Sequence, residues 1–174
     1  MSKSLLLTGC AGFIGINFLQ SFVGSELFFA YDKVISIDML GYATEHTRDK
    51  YLSICNNNNI DVIHADINTL KGTNGLEGTI DVLDFASSSH VDNSINSPNE
   101  IFAANSMIPA NLIEFLGIDK IGTYFHISTD EVYGDIPLEL MNDPLRGSFK
   151  TDSPYKPSNP YSASKVAQDA YLES

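Results

Sequence analysis

The chain has 174 residues, 43% of them hydrophobic, which is enough for one well-buried domain. A formal charge of −12 argues against nucleic acid or an anionic membrane as partner, and an anionic substrate would need a local positive field against the global one. No stretch approaches the roughly 18 apolar residues of a membrane span, and Gly9 breaks the apolar run from Leu5 too soon for a secretion leader.

Residues 4–8 are a short apolar run, the pattern of a strand buried on both faces. Residues 12–24 follow with Phe13, Ile14, Phe18, Leu19 and Phe22 at helical spacing. A second strand is expected over 33–38, a helix over 44–55 closed by the turn 56–59, a third strand over 60–65 and a fourth over 80–86. The spacing then predicts one long helix over 98–116, a fifth strand over 123–128, an irregular loop over 135–159 and a helix from Tyr161 onward. Strands alternating with helices imply right-handed crossovers and a parallel sheet. The expected class is α/β, a Rossmann-like doubly wound parallel sheet with helices on both faces, forming one domain over 1–174. Cys10 and Cys55 make no disulfide framework and read as reduced thiols of a cytoplasmic protein.

Between the first strand and the first helix stands Thr8-Gly9-Cys10-Ala11-Gly12-Phe13-Ile14-Gly15. The first glycine permits a tight turn, the next lets backbone N–H groups approach a pyrophosphate, and the last allows close helix–strand packing. The helix N-terminus adds a favourable dipole. A glycine triplet alone is weak evidence, since loops use glycine anyway. Asp38 strengthens it, because it ends the second strand near the roughly 20-residue offset of an acid that grips an adenosine ribose. An acid there repels a 2′-phosphate and favours NAD over NADP. Asp66 and Ile67 follow the third strand and could reach the adenine edge, though a helix N-cap explains Asp66 nearly as well.

Near the end of the chain come Ser128-Thr129-Asp130-Glu131-Val132-Tyr133-Gly134 and then Tyr161-Ser162-Ala163-Ser164-Lys165. A Tyr and a Lys four apart share one helix face, where the ammonium can ease ionisation of the phenol. Thr129, Asp130 and Glu131 add a hydroxyl and two carboxyls able to move protons. Adjacent acids alone are more simply a solvated turn, and a lone Tyr-x-x-x-Lys an ordinary amphipathic pair. Their joint occurrence behind a glycine loop favours chemistry.

Gly12-Phe13-Ile14-Gly15, Ser89-His90-Val91-Asp92-Asn93-Ser94-Ile95, the string 125–134 and Pro160-Tyr161-Ser162-Ala163-Ser164-Lys165 together resemble the extended short-chain dehydrogenase/reductase family. The Asp130-Glu131 doublet points within it to the nucleotide-sugar 4,6-dehydratases. The resemblance implies Thr129, Asp130, Glu131, Tyr161 and Lys165 as catalytic residues. It implies Gly9, Gly12, Phe13, Ile14, Gly15, Asp38, Asp66, Ile67, Phe85, Ala86, Ser87, Asn105, Tyr161 and Lys165 at the NAD, and Ser89, His90 and Thr129 at the sugar. It implies no metal. The implied substrate is dTDP-glucose or UDP-glucose, and the implied assembly is a homodimer. Related reductases such as 4-epimerases or UDP-glucuronate decarboxylases share the Tyr/Lys pair, and a catalytically silent NAD-binding module is a further alternative. Only about half of a typical member is present, so the C-terminal part of the fold, with most of the nucleotide-sugar pocket, is expected to be absent. Two departures stand out: Ser88 replaces a Glu usual in the family, and Ala104 replaces a Thr.

Overall fold

The run 4–8 forms β1 (Lys3–Thr8), whose Leu5, Leu6 and Leu7 are all buried because the strand is central and covered on both faces. The computed structural model describes residues 2–41, 43–72, 76–89, 95–143 and 147–174. The chain divides into two compact units, Met1–Ser87 with Ala110–Ile127 and Ser88–Pro109 with Ser128–Ser174.

The first unit carries the sheet. β2 (Lys33–Asp38), β3 (Asp61–His64), β4 (Thr79–Asp84) and β5 (Ile121–His126) join β1 in the order β3-β2-β1-β4-β5. Every neighbouring pair is parallel, with Leu6 of β1 level with Ile35 on one side and Val82 on the other. Strand order reverses at β1, and right-handed crossovers on either side of a reversal place helices on opposite faces. This is the doubly wound, Rossmann-like sheet expected from the sequence. Leu19 and Phe22 of α1 (Phe13–Phe22) and Tyr51 and Cys55 of α2 (Glu45–Asn57) pack with Leu5, Leu7 and Val34 in the core. Thr44 caps α2 by accepting from the Thr47 N–H at 3.2 Å.

β5 starts at Ile121, earlier than the expected 123, because pairing with β4 slips between Ile80 and Val82. Ile80 opposes Ile121 while Val82 opposes Tyr124, and the Thr123 N–H turns to the Asp81 carboxylate at 3.1 Å. No helix among the described residues is long and apolar enough to cross a membrane.

In the second unit, α3 (Pro98–Ser106) packs against α5 (Pro160–Glu173). The single helix expected over 98–116 is instead two, α3 and α4 (Ile108–Leu116), and α4 passes into the first unit from Ala110. Pro109 is the cause: it has no N–H, its ring collides with the carbonyl four residues back, and it disfavours helical backbone at Ile108. The carbonyl left without its helical partner belongs to Asn105. It accepts the Met107 N–H and, at 2.6 Å, the side-chain amide of Gln168 from α5.

Candidate active site

In the first unit, polar groups collect where β1, β2 and β4 end. Gly9 follows β1 with φ +63°, and a Cβ there would lie 2.8 Å from the Ala86 nitrogen. Both its conformation and its surroundings require glycine. A Cβ on Gly15 would come within 2.5 Å of the Gly9 oxygen, so α1 begins hard against the loop. Gly12 is the α1 N-cap and offers no side-chain cap, leaving the first N–H groups of the helix for an acceptor. Phe13 and Ile14, just inside the helix, are exposed.

Asp38 ends β2 and uses both carboxylate oxygens. Oδ2 accepts from the Ala11 N–H of the glycine loop at 2.8 Å, and Oδ1 accepts from the Leu40 N–H at 2.7 Å. Leu40 is buried at a left-handed φ of +57°, which an Asp acceptor on its own N–H helps to hold. Asp66 caps the short 3-10 turn Ile67–Thr69 through the Asn68 N–H at 2.9 Å, and the Ile67 side chain is buried. Phe85 packs on Phe18 with ring centroids 5.3 Å apart. The Ala86 N–H is shared between Thr8 Oγ1 and Asp84 Oδ1, each at 3.1 Å. Ser87 Oγ is buried with no hydrogen-bond partner among the described residues. The glycine cradle, the open helix start, the strand-end acid and this orphaned hydroxyl fit a dinucleotide, so Gly9, Gly12, Gly15, Asp38 and Ser87 could hold one.

Sequence reasoning missed the acid beneath this end of the sheet. The Asp84 side chain is fully buried and accepts from Thr8 Oγ1 at 2.6 Å and Tyr124 OH at 3.0 Å, with His126 Nδ1 at 3.2 Å. Burial and the Asp84 charge drive the Tyr124 phenol far above its ordinary value. The cue was an acid closing an otherwise apolar strand. Burial pushes the Cys10 thiol up to about 12 and the Cys55 thiol up to about 11, so both stay protonated near neutrality. They are free thiols.

The second unit gathers the proton-transfer candidates. Thr129 caps the 3-10 turn Asp130–Tyr133 by accepting from the Glu131 N–H at 3.3 Å. Asp130 is exposed and Glu131 half-buried. Glu131 Oε2 accepts from Asn159 Nδ2 at 2.9 Å. Asn159 is also the N-cap of α5, where its Oδ1 takes the Ser162 N–H at 2.8 Å and Ser162 Oγ returns the contact. Tyr161 and Lys165 sit in the first turns of this capped helix, Tyr161 half-buried and Lys165 buried. Burial and the Glu131 carboxylate raise the Tyr161 phenol, while a hydrogen bond with Thr129 opposes them. Thr129, Glu131 and Tyr161 therefore act on one another.

Asn105 of α3 braces the same helix. Its Oδ1 accepts from the Ser88 N–H at 2.8 Å, and its Nδ2 donates to the Ser88 carbonyl at 3.1 Å and to Ser164 Oγ at 3.0 Å. Ser88, where the family pattern departs, is gripped through its backbone. Ser89 is exposed, and His90 lies outside the described residues. No group of metal-binding side chains occurs among the described residues.

A parallel sheet of this order with a glycine cradle and a strand-end acid defines a dinucleotide-binding Rossmann-like protein. The sequence pattern of the NAD dependent epimerase/dehydratase family matches residues 5–174, and the chain belongs to that family, whose cofactor is NAD. A dTDP-glucose 4,6-dehydratase from Mycobacterium tuberculosis is 36% identical over 166 residues, which are 95% of this chain and 46% of that protein. The solved structure of DesIV, a dTDP-glucose 4,6-dehydratase from Streptomyces venezuelae with NAD bound, is 31% identical with a TM-score of 0.74, covering 98% of this chain and 52% of that one. The UDP-glucuronic acid 4-epimerase from Bacillus cereus shares the fold, with a TM-score of 0.76 at 23% identity, over 98% of this chain and 51% of that one. The chain thus spans about half the length of the relatives it matches.

Proposed function

We propose that the chain carries the NAD site and the proton-transfer residues of a nucleotide-sugar 4,6-dehydratase acting on dTDP-glucose or UDP-glucose. Gly9, Gly12, Phe13, Ile14 and Gly15 receive the pyrophosphate, Asp38 the adenosine ribose, Asp66 and Ile67 the adenine edge, and Phe85, Ala86 and Ser87 line the cofactor. NAD, when bound, supplies hydride chemistry, oxidising C4 and reducing C6 in one cycle. Tyr161 takes the proton of the sugar 4-hydroxyl while Thr129 hydrogen-bonds the 4-oxygen. Since the phenol lies above its usual value near 10, poising it at neutrality needs more than about 4 kcal/mol of preferential stabilisation. Lys165, on the same helix face, contributes to it.

The 4-ketone acidifies C5. Glu131 takes the C5 proton, the electron pair forms the C5–C6 double bond, and the C6–O bond breaks as Asp130 protonates the departing hydroxyl, so water leaves; Glu131 then returns its proton to C5 as C6 is reduced. Asn105, braced on Ser88 and Ser164, steadies α5, and Ser89 and His90 contact the sugar. In this reading the protein works as a cytoplasmic homodimer, which light scattering on the purified chain tests.

The observation that carries the reading is the Thr129-Asp130-Glu131 turn, with Glu131 anchored and electrostatically coupled to Tyr161. Epimerisation at C4 eliminates no water and requires no such carboxyl pair. The chain is incubated with NAD and each nucleotide sugar, and the 4-keto-6-deoxy product is read by its absorbance in alkali. A 4-epimer product that keeps its 6-hydroxyl, or bound NAD without turnover, overturns the proposal.

A further inference from the structure

We infer that Asn159 is a positioning residue for the base, a role that rests on the reading of Glu131 given above. Two hydrogen-bonding duties meet in this one side chain. Its Oδ1 accepts from the Ser162 N–H at 2.8 Å and so starts α5, and its Nδ2 donates to Glu131 Oε2 at 2.9 Å. The first duty is an ordinary N-cap, which Ser or Asp fulfils as well as Asn. The second needs a donor, and among the N-capping side chains that bond through a carbonyl-type oxygen only the amide supplies one beside it.

Glu131 belongs to a four-residue 3-10 turn, Asp130–Tyr133, and no other hydrogen bond reaches its carboxylate among the described residues. A glutamate side chain has three rotatable bonds, and an unanchored one samples many rotamers. Fixing Oε2 restricts the carboxylate and leaves Oε1 to take a proton. The same side chain fixes the start of the helix whose second residue is Tyr161 and whose sixth is Lys165. Asn159 therefore sets the base and the phenol in one frame, and the Glu131 charge that raises the Tyr161 phenol is a consequence of that nearness. A misplaced base costs about ten- to a hundredfold in rate.

Three substitutions separate the two duties. Asn159→Ser keeps the cap and loses the amide that reaches Glu131, Asn159→Gln keeps an amide donor on a poorer cap, and Asn159→Asp keeps the cap but turns a carboxylate toward Glu131. Each is measured for kcat, KM, thermal midpoint and the kinetic isotope effect with sugar deuterated at C5. Asn159→Ser is expected to keep its midpoint and KM, lose about ten- to a hundredfold in kcat, and show a larger C5 isotope effect because proton removal becomes slower. Asn159→Asp falls further, and Asn159→Gln recovers part of the rate despite a lower midpoint. A merely structural role would lower the active fraction and leave the isotope effect unchanged. Asn159→Ser with wild-type kcat and isotope effect overturns the inference. Glu131→Gln turning over at the wild-type rate sinks the base assignment itself, and a wild-type chain without turnover removes both.

Discussion

Asp38 is expected to do more than choose between NAD and NADP. In the simplest view of a ribose-binding acid, neutralising it relieves repulsion of the 2′-phosphate and trades NAD affinity for NADP affinity. Here the carboxylate is also the clamp of the glycine loop, with the Ala11 N–H on Oδ2 at 2.8 Å and the Leu40 N–H on Oδ1 at 2.7 Å. Asp38→Asn preserves shape, but an amide accepts at one end only, so one of those two N–H groups must face an NH2 donor. Losing a hydrogen bond to a charged acceptor costs about 1.5–3 kcal/mol. If the bound dinucleotide must restore that loop geometry, NAD affinity falls roughly ten- to a hundredfold, since each 1.4 kcal/mol is about tenfold. NADP needs the same loop for its pyrophosphate, so its affinity does not rise. Titration calorimetry with both dinucleotides at one ionic strength measures this. An Asp38→Asn chain that binds NADP more tightly than wild type while its loop amides keep their native shifts would refute the clamp.

Three further outcomes follow from particular contacts. Burial works to raise the Asp81 carboxyl, but Lys3 at 2.9 Å, Tyr31 at 3.0 Å and the Thr123 N–H outweigh it and hold the group below its usual range. A depressed carboxyl stabilises the fold above its unfolded value, near 3.9, and loses that contribution as pH falls through the folded value. The stability gap between wild type and Asp81→Asn should therefore be full at neutral pH and close below about pH 4, read by urea unfolding across pH. Gln168→Leu should leave the Asn105 carbonyl without its side-chain donor and cost about 1–3 kcal/mol in denaturant unfolding. Adding Pro109→Ala supplies a helical N–H to that carbonyl, so the double variant should be more stable than the single one, and strict additivity would argue against the link. In tyrosine NMR, Glu131→Gln should lower the Tyr161 phenol titration and Thr129→Val should raise it, because the carboxylate raises and the hydroxyl lowers that group. Shifts of the opposite sign would exclude the proposed cluster.

Much of the scaffold could be read in advance because its signals are local. Leu5-Leu6-Leu7 needs cover on both faces, and the Gly9 and Gly15 positions show backbone approaches that no side chain survives. Asp38 was legible from its place at a strand end, although its bond to Ala11 was not, since that bond joins groups from separate strand ends. The sequence also brought Thr129, Glu131 and Tyr161 into one hypothesis, and in the fold Glu131 and Thr129 both bear on the Tyr161 phenol.

What escaped depends on partners distant in sequence. A period-3.6 apolar pattern runs through 98–116 without a gap, yet Pro109 splits the helix, and only the fold shows that Gln168 answers the carbonyl it uncovers. The slip of β5 against β4 leaves no trace in hydrophobic alternation, because the Thr123 N–H that leaves the ladder is satisfied by Asp81. Asp84 gives no sign of its partners in the local sequence, because Thr8, Tyr124 and His126, which surround its carboxylate, come from other strands. Asn159 carried no warning at all, since Asn before Pro at a helix start is fully explained by capping. The common cause is that polar groups are placed by what they must satisfy. A side chain serving two elements shows only its local duty in the sequence. Polar residues with one obvious task, the half-buried Asn159 and the buried Gln168 among them, are accordingly where a second task should be sought first.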